Sequence, residues 1–153
     1  MEIPTLSEEE KQKIFMEMWF GAMMGPMGFI MRKLGPEAMD ELNDESAKSC
    51  AADLKARGVD DPLQFAMSYA VINKNVFGSD VDVEGSPEKA TLAMKRCSNL
   101  EAALQFAERG MPLTKEQHCS GYINGYFKRV AENLGFAFDV EFTDKGCRMT
   151  MSK

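Results

Sequence analysis

The chain has 153 residues, 44% hydrophobic and 27% charged, with 18 Lys and Arg against 24 Asp and Glu for a formal net charge of -6. A chain this long typically buries roughly two-thirds of the surface that its unfolded form exposes, so one domain with a real core is expected and whole-chain disorder is not. The acidic balance argues against a dedicated nucleic-acid binder, which needs a concentrated basic surface, and a single His rules out multi-histidine zinc sites, di-iron carboxylate bundles and bis-histidine haem ligation within one chain.

The N-terminal segment carries Ser7-Glu8-Glu9-Glu10 and lacks the basic region and immediate apolar run of a signal peptide, so a cytoplasmic protein is expected. Ser7 with Glu10 forms a capping-box pattern, and Ile14, Phe15, Met18, Trp19 and Ala22 recur behind it at helical spacing. The uncharged run MWFGAMMGPMGFIM, from Met18 to Met31, falls short of the roughly 20 residues that span a bilayer, so no membrane span is expected. Gly25-Pro26 in its middle predicts a kink between two packed segments.

After Gly35-Pro36 a second apolar stripe runs through Met39, Leu42, Ala47, Cys50 and Leu54 to Gly58. Asp61 and Pro62 read as an N-cap with proline at the first helical position, opening a third helix through Phe65, Tyr69 and Ile72. The period then changes to alternation in DVDVE, a Gly85-Ser86-Pro87 turn follows, and Ala90, Leu92 and Met94 alternate towards Cys97, which predicts a hairpin.

Ser98 with Glu101 and Thr114 with Gln117 are two further capping boxes. The second leads the clearest helix, with Cys119, Tyr122, Ile123, Tyr126, Phe127, Val130 and Leu134 on one face. Phe136, Phe138, Val140 and Phe142, the turn Thr143-Asp144-Lys145-Gly146, and then Cys147, Met149 and Met151 predict a second hairpin. The expected architecture is a single α+β domain: a helical half over 7–77, a mixed half over 80–152, and about four antiparallel strands in two hairpins with helices on one face.

Cys97, Cys119 and Cys147 each fall near the end of a predicted element and converge if sheet and helix pack together. Three thiolates, or two with His118, would suit zinc, whose open fourth position activates water. No CxxC pair supports this, and each thiol has the alternative of a small buried hydrophobe, as Cys50 has on its apolar stripe. His118 sits about 100° round the helix from Cys119, poorly placed to deprotonate it, and faces Cys97, Cys147 or solvent.

The methionines crowd the first helical region as Met16, Met18, Met23, Met24, Met27 and Met31. Copper(I) is one reading of them, but core, dimer seam or apolar pocket is the better one among so many aromatic neighbours. Gly21 with Gly25, and Gly121 with Gly125, read as places of close backbone packing. Arg96 beside Cys97 and Arg148 beside Cys147 are candidates to hold a substrate carboxylate, against the alternative of solvated strand charge. Phosphate-loop, GxSxG and HExxH patterns are absent.

The C-terminal half, from AMKRCSNLEAALQFAERG through EQHCSGYINGYFKRVAENLG to FDVEFTDKGCRMTM, resembles the bacterial L-2-amino-thiazoline-4-carboxylate hydrolase-like family, as do LGPEAMDEL and the RGVDDP turn nearer the N-terminus. That family's order of a Cys at a strand end, a Cys in a following helix and a last Cys after a Gly is similar to Cys97, Cys119 and Gly146-Cys147. A weaker resemblance is to the vinyl reductase small-molecule-binding domain, from which the chain departs in having Gly146 directly before Cys147.

The resemblance implies an enzyme that hydrolyses a small carboxylate-bearing cyclic C-N or C-S compound. Cys97, Cys119 and Cys147 would form its thiol or zinc centre, His118 would assist proton transfer, and Arg96 and Arg148 would orient the carboxylate. The alternative is a noncatalytic binding or sensor module that encloses an apolar ligand or a second subunit with Met23, Met27, Phe29 and Tyr126. A homodimer through the apolar N-terminal region fits either reading.

Overall fold

Ser7 opens the first helix as its sequence pattern requires: in the computed structural model, which describes residues 3–153, its hydroxyl accepts from the Glu10 amide at 3.3 Å while the Glu10 carboxylate accepts from the Ser7 amide at 2.8 Å. The helix, α1, then runs from Glu8 to Leu34 without interruption. The kink expected at Gly25-Pro26 does not divide it. Ala22 and Pro26 are both exposed, so an Ala22 carbonyl left without its proline-blocked donor is open to solvation and the helix need not break there.

Gly35, at φ 86°, makes the left-handed turn into α2 (Pro36–Ala56). Asp61 caps α3 (Pro62–Asn75) through the Gln64 amide at 2.8 Å, with Pro62 at a position whose amide would have no helical acceptor. The first hairpin is β1 (Asp80–Gly85) and β2 (Lys89–Arg96). Helix α4 (Ser98–Glu108) begins one residue earlier than the Ser98/Glu101 pattern implies. Cys97 is its N-cap, and the Ser98 amide donates instead to the Ser79 hydroxyl at 3.1 Å.

The clearest helix in the sequence is three consecutive pieces. These are α5 (Lys115–Tyr122), capped by the Thr114/Gln117 box, a π-helical turn over Ile123–Phe127, and α6 (Lys128–Leu134). The wider turn is closed by the Lys128 amide donating to the Ile123 carbonyl. Strands β3 (Ala137–Phe142) and β4 (Cys147–Ser152) complete the chain.

The four strands form one antiparallel sheet in the order β1-β2-β4-β3, so the two hairpins lie side by side, joined by β2 and β4 in a register that pairs Leu92 with Met149 and Met94 with Cys147. The alternation of the strands decides the two faces. Val81, Leu92, Met94, Cys147, Met149 and Met151 turn inward against Phe65, Ala66, Phe127 and Val130 of the helices. The other face carries the pairs Lys95–Asp82 and Arg148–Glu84 and a Thr91–Thr150 hydroxyl contact. A second, smaller core joins α1 to α4 through Met16, Phe20, Ala102 and Ala103.

Gly146 is buried, and a Cβ on it would fall on the Met94 carbonyl oxygen of the neighbouring strand, a backbone atom that cannot step aside. Close approach of β2 therefore requires the residue before Cys147 to be glycine. Gly146→Ala is expected to cost about 1–3 kcal/mol in urea unfolding. Gly121→Ala, on a helix with nothing within 4 Å of the added methyl, is expected to be neutral or to stabilise by up to about 1 kcal/mol.

A candidate site: the thiol-lined cavity

Between the sheet's inner face and the helices lies a cavity of about 40 Å³, and Cys97, His118, Cys119 and Cys147 all line it. Each arrives from a different element for a local reason. Cys97 stands at the junction of β2 with α4, held by its own amide donating to the Lys145 carbonyl at 2.9 Å. Cys147 follows Gly146 into β4 opposite Met94, on the inward side of the pleat. His118 and Cys119 sit in α5, immediately before the π turn that delivers Ile123 and Phe127 to the same wall.

The electrostatics are those of a neutral interior. Burial pushes the Cys147 thiol up to about 12, and the neighbouring Cys97 and Cys119 add to the effect. Burial also raises Cys97, against the pull of the Leu100 and Asn99 amides at the start of α4. Cys119 is raised by burial too, with Lys115 opposing. All three are therefore thiols, not thiolates, at neutral pH. His118 packs with its ring 5.6 Å from that of Phe20, and burial lowers its pKa, so the imidazole is uncharged.

Four further polar residues line the cavity that no sequence pattern marked as site residues: Tyr69, Asn73, Asn99 and Tyr122. Tyr69 and Tyr122 lie on apolar helical stripes and look like core until the strands are placed. Tyr122 leaves its residue surface 44% exposed, yet its hydroxyl is desolvated and pushed up to about 12, by burial first and then by Cys97, Cys50 and Cys147. Cys50 lies behind the wall, its sulfur 3.7 Å from the Tyr69 hydroxyl.

The remaining candidates lie elsewhere. Arg96 pairs with Glu101 at 2.8 Å and donates to the Gly78 carbonyl, and Arg148 pairs with Glu84 on the sheet's outer face; neither lines the cavity. Met27 belongs to α1 and also lies outside the lining, as do Met23 and Phe29. Tyr126 packs at the edge of the main core, its ring 5.9 Å from that of Tyr122. Among the described residues, no three His, Cys, Asp or Glu side chains come together as the ligands of a metal ion would. The three thiols and His118 line one cavity.

Compared with known proteins, the chain matches no family model and no curated protein sequence.

The buried imidazole makes stability pH-dependent with a definite sign. Above 6.5, the ordinary His value, the ring is neutral folded or unfolded and contributes no pH dependence. As pH falls below it, the unfolded chain binds a proton that the folded chain resists, so stability falls until the lowered folded value is reached. Urea midpoints measured from pH 7.5 down to pH 5 are expected to drop more in the wild type than in His118→Leu. Parallel curves would mean that His118 is not held neutral.

Proposed function

We propose that the chain is a noncatalytic small-molecule-binding module whose ligand is small, uncharged and largely apolar, held between the sheet and α5 among Cys97, His118, Cys119, Tyr122 and Cys147. The observation that carries this reading is the neutrality of the lining: raised thiols, a lowered imidazole and phenols, with Arg96 and Arg148 committed to carboxylates away from it. A charged ligand would lose its hydration there and gain no counter-ion. A volume of about 40 Å³ is far below the roughly 300–1,000 Å³ of sites for drug-sized ligands, so the occupant is a compact molecule or one that displaces Tyr122 and Phe142 at the margin.

Ligand-observed NMR with neutral and carboxylate-bearing fragments of matched size tests this. Neutral fragments are expected to bind the wild type and to be lost from Cys119→Phe, which fills the cavity from a half-buried position. Preference for the carboxylates, or binding indifferent to the filled cavity, would overturn it.

A second reading, hydrolysis of a cyclic C-N or C-S compound by a cysteine, is supported by one specific feature. Cys97 occupies the N-cap of α4, so its sulfur faces the amides of Asn99 and Leu100, a setting that favours a thiolate. The pH dependence of alkylation decides between the two. With burial dominant, the iodoacetamide rate at Cys97, followed by peptide mass spectrometry, is expected to be slow at pH 7 and to keep rising beyond 9.0, the ordinary thiol value. A plateau reached below about pH 8 would show a thiolate poised for attack and would favour the enzyme.

A further inference from the structure

Helix α1 is apolar on both sides, and its own chain covers one of them. Met16 and Phe20 are buried against α4. Ile14, Phe15, Met18, Trp19, Met23 and Phe29 remain 42% to 70% exposed. At about 100° per residue these six span roughly one half of the helix circumference, starting beside Met16, and within that face Phe15 and Trp19 are partly covered by the Phe77 ring while Met18 and Phe29 are not. A helix apolar all round needs cover all round.

We propose that α1 is a dimer interface, two copies of this chain packing α1 against α1 in antiparallel fashion through that exposed face. Three observations choose this occupant. The six exposed side chains form an apolar face along about four turns of the helix, and a contiguous exposed apolar patch marks an interaction site. The charges at the ends of the helix are complementary: Glu8, Glu9 and Glu10 fill its first turn and Arg32 and Lys33 its last. An antiparallel crossing centred near Gly21 sets the first turn, with Glu8 on the exposed face, beside the partner's Arg32 and the partner's Lys33. At Gly25 an added Cβ would meet nothing within 4 Å, so a second helix backbone can approach closely there.

A lipid bilayer is the competing cover, since α1 is long and apolar enough to cross a membrane by length and composition. Its uncharged stretch from Met18 to Met31 rises only about 20 Å, against the roughly 30 Å of a hydrocarbon core. Spanning would also strip Met16 and Phe20 from Ala102 and Ala103.

Sedimentation equilibrium of the full chain at micromolar concentrations is the test, read together with the emission of the single Trp, Trp19, in the proposed interface. The wild type is expected to be a dimer with blue-shifted emission that moves red on dilution. Met18→Glu with Phe29→Glu, both at exposed positions, is expected to raise the dissociation constant at least ~100-fold while far-ultraviolet circular dichroism stays unchanged. Arg32→Glu with Lys33→Glu is expected to weaken association, and adding Glu8→Lys with Glu9→Lys to restore it, as only an antiparallel pairing does. A monomer at every concentration, a dimer indifferent to Met18→Glu and Phe29→Glu, or reversal without restoration would overturn the proposal. So would a wild type monomeric in water that partitions onto phosphatidylcholine vesicles.

Discussion

Phe127 is the side chain on which the halves of the chain meet. Its ring lies 5.1 Å from Phe65 and 4.4 Å from Tyr69 of α3, and 5.6 Å from Phe138 of β3. It is also 1% exposed and lines the cavity. A buried aromatic of this kind contributes about 3–5 kcal/mol relative to alanine, a large part of a small domain's net stability. Its position depends on the π turn, whose extra residue per turn sets the cavity-facing residues of α5 against the sheet while Val130 and Leu134 of α6 stay in the core. Such turns are uncommon and concentrate where a helix must serve packing and a site together.

The same packing separates charge from the site. The described ion pairs lie at the surface, on the outer face of the sheet and along the helices, where each is worth about 1 kcal/mol or less. The inner face receives sulfur, aromatic rings and amides. Three thiols in one water-poor space resist ionisation because burial outweighs the single opposing cation, Lys115 at Cys119, and a second thiolate would meet the first. The neutral lining is therefore a consequence of where the sheet's pleat points Cys147 and where α4 begins at Cys97.

Much of this was legible in the sequence. The α+β class, the two hairpins and the caps at Ser7, Asp61 and Thr114 follow from alternation and capping chemistry, which are local. The positions of Cys97, His118 and Cys147 near element boundaries are local too, while their lining of one cavity with Cys119 is a matter of how the sheet packs on the helices. Three things were not legible. The Ser98/Glu101 pattern loses to a tertiary contact, because Ser79 takes the Ser98 amide and Cys97 becomes the cap. The π turn leaves the apolar stripe intact and so has no periodic signature. The arginines' direction depends on strand parity and on the acids opposite, so proximity to Cys97 and Cys147 in sequence says nothing about which face they take.

The two proposals share a physical connection. Phe20, on the inner side of α1, packs its ring 5.6 Å from His118 and 5.0 Å from Phe106 of α4. The layer formed by α1, α4 and α5 thus has the cavity on one side and the exposed face of α1 on the other. Helices in such a layer move as bodies, because close-packed side chains transmit displacement instead of absorbing it. A partner helix pressing on Met18 and Phe29 would fix the rotation of α1, and with it the position of Phe20 against the imidazole. Conversely, a ligand that pushed His118 outward would act on α1 through the same ring. Occupancy and association would then be coupled to the extent that the two orientations of α1 differ in energy, and by thermodynamic linkage the coupling would be equal in both directions.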